Sequence, residues 1–180
     1  MHNYILGIDP SGNHKSMGEG NGHSAFALYD RRAGKFLWTK DIQADEYTRW
    51  FEFWKANVQL IKSVMTEHPD TCISLEDYKM YASRQSHMGG QRNPTLMLLG
   101  IFWFLFESCK WDWCTQMYRT CRSEIDDDYL VEAGYLTLTT TKRGAQVYKD
   151  MDGNIVVEHC RDAMAHAIYA DVRLERGSPE

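Results

Sequence analysis

Residues 4–30 read YILGIDPSGNHKSMGEGNGHSAFALYD, two apolar runs that each end on an acid and are joined by a glycine-containing connection. The first run, Tyr4–Ile8, has the pattern of a strand buried on both faces, and Ser24–Tyr29 that of its neighbour. Lys35–Asp41 (KFLWTKD) supplies a third strand, and connections this short predict an antiparallel meander. Asp9 closes the first strand just ahead of Pro10-Ser11-Gly12. An aspartate there either starts a turn or serves as a ligand, and the stretch alone leaves both open.

Beyond the meander the period changes. Trp50 or Phe51, Trp54, Val58, Ile61 and Met65 recur at helical spacing between Asp45 and about His68, where Pro69 stops the run. Thr71–Asp77 (TCISLED) is a short apolar strand that again runs into acids. A polar connection follows, then an apolar helix over Pro94–Cys109 and a fifth strand over Trp113–Arg119. Between Glu124 and Asn154 the alternation predicts a small hairpin, with Asp152-Gly153 as its turn signal. The alanine-rich segment EHCRDAMAHAIYADVRLER predicts a closing helix. Strands and helices in this order describe an α/β fold, a mixed sheet with helices on its faces.

Bulk properties narrow the function classes. The 180 residues fit one domain spanning 1–180, and a net charge of −5 advertises no polyanion or membrane partner, so any nucleic-acid role must rest on local basic patches and metal ions. Five cysteines without a C-x-x-C pair predict reduced, mostly buried thiols in the cytoplasm rather than a disulfide framework or zinc ribbon. No signal peptide is expected, because Asp9 interrupts the apolar N-terminus. The apolar run Leu96–Phe106, broken by Gly100, is shorter than the roughly 20 residues a membrane span needs. It reads as a core helix.

The acids at the strand ends carry the chemistry. Asp9 and Glu76 each end an apolar strand, with Asp77 an alternative to Glu76 that spacing cannot separate. In the closing helix His159 and Asp162 stand at i and i+3, on one face. If the first and fourth strands are neighbours and that helix crosses their ends, the four converge. Each has a plainer reading as well: Asp162 could pair with Arg161 or His166, and His159 could be a cap or core residue. Carboxylates with an imidazole and no thiol suit Mg²⁺ or Mn²⁺. Two such ions roughly 4 Å apart can activate a water and stabilise the leaving oxygen of a phosphodiester.

ILGIDPSG, ISLED and HCRDAMAHAIYA, in this order and at these spacings, resemble the RuvC family of Holliday junction resolvases within the ribonuclease H-like superfamily. The resemblance implies a five-stranded mixed sheet flanked by helices on both faces. It also implies a homodimeric endonuclease using two Mg²⁺ per site, with Mn²⁺ able to substitute, that nicks branched DNA such as a four-way junction. The family's catalytic, metal-binding positions fall on Asp9, Glu76, His159 and Asp162. Its junction-entering loop falls on the segment after Glu76, where Lys79, Arg84, His87 and Arg92 alternate with the wedge candidates Tyr78 and Tyr81. Arg119, Arg122, Lys142 and Arg143 are further phosphate-contact candidates, and the Pro94–Cys109 helix is the dimer candidate.

The chain departs from the family where a basic helix normally precedes the closing helix. Here SEIDDDYLVEAG and a hairpin stand instead, and that acidic run must face away from DNA or mark a different substrate. This suggests a divergent member, of a bacterial or phage-infected cell. RNA–DNA hybrid or flap cleavage, or a non-catalytic junction-binding module, are the competing readings. GIDPSG also resembles the first strand of the actin and sugar-kinase superfamily, whose members need two such domains. Gly12–Gly22 lacks the G-x-x-x-x-G-K-[ST] pattern and is expected to be a mobile hairpin loop closing over substrate.

Overall fold

The computed structural model describes residues 2–18, 20–77 and 93–177. One mixed sheet runs through the molecule in the order β3-β2-β1-β4-β5. Its strands are β1 (Tyr4–Asp9), β2 (His23–Asp30), β3 (Lys35–Gln43), β4 (Thr71–Glu76) and β5 (Trp113–Gln116). The meander β1–β3 is antiparallel, whereas β4 joins β1 and β5 joins β4 in parallel. That is the arrangement expected when a helix crosses from β3 to β4.

Period-2 alternation then splits the side chains between two layers. Leu6, Ile8, Phe26, Leu28, Ile73 and Leu75 face α1 (Trp50–Glu67) and α2 (Pro94–Cys109), which contribute Phe53, Ile61, Leu98, Phe102 and Phe106. Ile5, Ala25, Ala27 and Tyr29 face the other way. They meet α5 (Glu158–Glu175), reinforced by α3 (Tyr118–Glu124) and α4 (Asp127–Glu132). A separate hairpin, β6 (Thr137–Thr140) and β7 (Gln146–Lys149), precedes α5. Among the described residues no helix is long and apolar enough to cross a membrane.

Four local expectations are corrected. The fifth strand stops at Gln116, and Tyr118 and Arg119 already belong to α3. The amphipathic helix starts at Trp50 rather than Asp45, because Ala44–Glu46 forms a 3-10 turn and Glu52 accepts the Arg49 N–H at 3.2 Å to open the helix. The β6–β7 turn lies at Thr141–Ala145. Asp152-Gly153 forms a second turn, held by the Asp150 carboxylate, which returns Ile155 against Lys149.

The fourth concerns the described part of Gly12–Gly22, which is tied down. His14 is fully buried, with Nε2 3.0 Å from the Tyr47 carbonyl and Nδ1 2.8 Å from Ser16 Oγ. The Gly12 N–H donates to Thr95 Oγ1, and the Trp54 indole donates to the Gly12 carbonyl at 2.9 Å. A Cβ at Gly12 would stand 2.1 Å from the Pro94 carbonyl oxygen, so glycine is what lets this loop seat on the start of α2.

Candidate metal centre

The site forms where β1 and β4 end under the first turns of α5. Tyr4 pairs with Thr71 and the register continues to Ile8 and Leu75, so one step further Asp9 and Glu76 stand side by side on parallel strands. Both point to the α5 face. Asp9 shares parity with Ile5 and Gly7, and Glu76 with Ser74, whose hydroxyl donates to the His166 carbonyl of α5 at 2.9 Å. This register turns Glu76 rather than Asp77 toward the helix.

Small residues bring the helix down onto the strands. A Cβ on Gly7 would stand 2.0 Å from the Ala163 carbonyl oxygen and 2.9 Å from the Ala167 nitrogen, so the α5 backbone touches β1 with nothing between. Short acidic side chains can therefore reach across the layer. Donor atoms of Asp9, His159 and Asp162 all lie within 4.8 Å of one another. His159 Nδ1 is 2.7 Å from Asp9 Oδ2.

The electrostatics follow from burial and pairing. Asp9 is almost fully buried, which pushes its carboxyl up, against the hydrogen bond to His159. That same hydrogen bond raises the half-exposed His159 imidazole above its ordinary value, to about 9. Burial also lifts Asp162 to about 6, opposed by Arg122. At Glu76 burial again favours the neutral acid, but interactions with His166, Asp9 and His159 outweigh it and hold the carboxylate below its usual range.

Arg122 is committed within the protein instead of being presented to phosphate. Its Nη2 is 2.6 Å from Asp127 Oδ1, its Nη1 donates to the Ile125 carbonyl, and its Nε is 3.2 Å from Asp162 Oδ1. Asp127 also accepts from Arg161 Nε at 2.9 Å, and Asp126 caps α4 by accepting the Tyr129 N–H. The acidic run thus spends charge on internal arginines, one of which reaches the site. Arg119 lies exposed on α3, and Lys142 and Arg143 lie exposed at the hairpin turn. Tyr78, Lys79, Tyr81, Arg84, His87 and Arg92 fall outside the described residues.

His23 is not singled out in the sequence, and His166 is singled out only as a possible partner of Asp162. His23, at the start of β2, has Nδ1 3.2 Å from Asp41 Oδ2 and stacks on His159 with ring centroids 5.5 Å apart. His166, one turn beyond Asp162 and fully buried, has no hydrogen-bond partner among the described residues on either ring nitrogen. Its position seven residues after His159 on the same helical face was the available signal.

The donor set fits a hard divalent cation. Asp162 Oδ1 is buried and makes no hydrogen bond among the described residues, since Arg122 Nε approaches at ion-pair distance but not in hydrogen-bonding geometry. Arg122 offsets part of the carboxylate's charge, and the hydrogen-bond sites left open on the oxygen are available to a cation. Asp9, Glu76, His159 and Asp162 are the residues that would hold such an ion, and among the described residues no thiol joins them.

No family model and no curated protein matches the sequence. Solved structures do match its fold. The chain is similar to T. thermophilus RuvC in complex with a Holliday junction substrate, with a TM-score of 0.66 and 11% identity over 98% of each chain. It is similar to a second T. thermophilus RuvC structure with a TM-score of 0.62 and 12% identity over 97% of each chain. A looser likeness, with a TM-score of 0.46 and 13% identity over 93% of this chain and 82% of the other, is to the large terminase nuclease of thermophilic phage G20c. The chain has the RuvC-type, ribonuclease H-like fold.

Proposed function

We propose that this protein is a metal-dependent, structure-selective DNA endonuclease that resolves four-way or other branched junctions by paired nicks. The observation that carries the reading is the meeting of Asp9, His159 and Asp162 within 4.8 Å, beside Glu76, at the strand ends of a RuvC-type fold. The similarity extends over the whole length of a RuvC whose structure holds a Holliday junction, and this favours branched DNA over other nucleic acids as the substrate.

In this reading Asp9, Glu76, His159 and Asp162 hold two Mg²⁺ ions, with Mn²⁺ able to substitute. When bound, the ions polarise the phosphodiester and lower the pKa of water. The protein's part is to aim the donors. Gly7 sets the α5–β1 separation, Arg122 offsets the desolvation of Asp162, and Asp9 fixes the orientation of the His159 ring through Nδ1. Arg119, Lys142, Arg143 and the basic, tyrosine-containing segment 78–92 are the proposed phosphate and junction contacts.

A symmetric two-nick enzyme needs two copies at fixed separation. The proposed dimer surface is the outer face of α2, where Met97, Ile101, Trp103 and Phe104 are exposed, Phe104 at 75%. The five free thiols and a single RuvC-type unit over residues 1–180 fit a cytoplasmic enzyme of a bacterial or phage-infected cell.

The test is a cleavage panel of labelled four-way, three-way, flap, linear-duplex and RNA–DNA hybrid substrates with Mg²⁺ and Mn²⁺, together with sedimentation of the protein. Paired nicks across the four-way junction by a dimer are expected. Preferential hybrid or flap cleavage, or a strict monomer, would overturn junction resolution. Junction binding without cleavage in either metal would make the protein a binding module.

A further inference from the structure

The imidazole of His166 is fully buried, and the charged group it faces is the Glu76 carboxylate. Among the described residues neither nitrogen has a hydrogen-bond partner, an arrangement a protein interior disfavours. The ring is nonetheless held firmly. Its backbone carbonyl is clamped by Ser74 of β4, and the Ala163–Ala167 backbone on either side of the turn lies against Gly7. Nε2 is turned toward Glu76, 3.7 Å from Oε2.

That separation is too long for a hydrogen bond and suits two donors of one cation. Two ligands each about 2.0–2.2 Å from an ion, at angles of roughly 90–130°, stand about 3–4 Å apart. The geometry points to His166 as a fifth protein ligand, sharing with Glu76 the ion on the β4 side of the site, and thereby to a centre that selects Mn²⁺ over Mg²⁺. The selectivity follows from donor chemistry. Mg²⁺ is held by carboxylates and water and takes up nitrogen reluctantly, whereas Mn²⁺ shares the oxygen preference but accepts an imidazole more readily, so each added nitrogen raises Mn²⁺ affinity more than Mg²⁺ affinity. With His159 near Asp9 and Asp162, each half of the site then carries one imidazole. This inference rests on the metal-site reading above and adds to it a ligand and a metal preference.

The experiment uses the full chain, stripped of metal and without DNA. MnCl₂ and MgCl₂ are titrated by calorimetry, and ¹⁴N couplings to bound Mn²⁺ are recorded by pulsed paramagnetic resonance. The proteins compared are the wild type, His159→Ala, His166→Leu and His166→Gln. Two nitrogen couplings are expected in the wild type and one in each variant. His166→Leu should weaken Mn²⁺ binding about 10–100-fold and Mg²⁺ binding much less, so the Mn²⁺/Mg²⁺ affinity ratio collapses.

Loss of every nitrogen coupling in His159→Ala overturns the inference, as does an unchanged ratio in folded His166 variants. Should neither His166 variant fold, His159→Ala decides alone: one surviving nitrogen supports the inference and none overturns it. A wild type that binds neither cation overturns this ligand and the metal-site reading together. Two-nitrogen Mn²⁺ binding without cleavage of any substrate keeps the ligand and overturns only the nuclease.

Discussion

On one face of the sheet Phe53, Phe102 and Phe106 fill the space above Leu6, Ile8 and Leu75; on the other, Gly7, Ala25 and Ala27 lie under Ala163, Ala167 and Ala170 of α5. The aromatic face spaces its helices from the sheet by the width of large side chains and carries the larger apolar core. The small-residue face lets a helix backbone rest on a strand, and only there can side chains as short as aspartate meet from both layers. The first face contributes stability and the second brings reach. The comparison breaks if substitutions on the two faces have the same consequences.

The largest expected effect is at the acids themselves. Asp9→Asn or Asp162→Asn should abolish metal-dependent junction cleavage, by a factor of about a thousand or more if several kcal/mol of transition-state stabilisation are lost. Cleavage assays alongside thermal melts check this, because the fold should survive. Retained cleavage in either variant would remove the site assignment.

Next is a pair of packing changes. Gly7→Ala drives a methyl group into the Ala163 carbonyl, and overpacking of this kind costs about 1–3 kcal/mol. It should also weaken Mn²⁺ binding by lifting α5 away from Asp9. Ile61→Val, on the aromatic face, should cost about 0.5–1.5 kcal/mol and leave metal affinity alone. Denaturant melts paired with metal titrations separate the two, and equal losses of metal affinity would erase the distinction between the faces.

A smaller effect is expected from pH. His159 is raised to about 9 and Asp162 to about 6, so in both cases the folded state holds its proton more tightly than the unfolded chain does. Stability from His159 is full below its unfolded value near 6.5 and is lost as pH rises through about 9; that from Asp162 fades between about 4 and 6. The metal-free protein should therefore melt at lower temperature at pH 9 than at pH 6.5. Divalent cations displace these protons, so their affinity should rise over the same interval. A metal affinity that falls with pH would contradict the ligand set.

The smallest effect should come from the hairpin. Lys142→Glu and Arg143→Glu should weaken junction binding modestly and lower the salt slope by about one per lost phosphate contact. Filter binding across a salt series reads this, and metal affinity should not move.

The strand-end acids and the paired His159 and Asp162 were legible in the chain, because apolar runs that stop at an acid and i, i+3 spacing are local patterns. Glu76 could not be told from Asp77 by such means. Its direction depends on the register of β4 against β1, set between residues about seventy apart in sequence. Arg122 looked like a phosphate contact for the same reason: its partner Asp162 is distant in the chain, and Asp127, close by, resembled a surface acid. The Asp152-Gly153 turn signal was genuine but belonged to the turn after the hairpin.

The α/β class, the strands β1–β4, the helix over Pro94–Cys109, the closing helix and the acids at their ends are readable from the chain alone. These follow from hydrophobic period and turn chemistry, which are properties of neighbouring residues. Folding in three dimensions was needed to show that Gly7 is the contact that lowers α5 onto the sheet, that Arg122 serves Asp162, and that His166 is buried beside Glu76 without a hydrogen-bond partner among the described residues. Those facts depend on the distance between layers, and that distance is set by side-chain volumes contributed from strands and helices far apart in the chain.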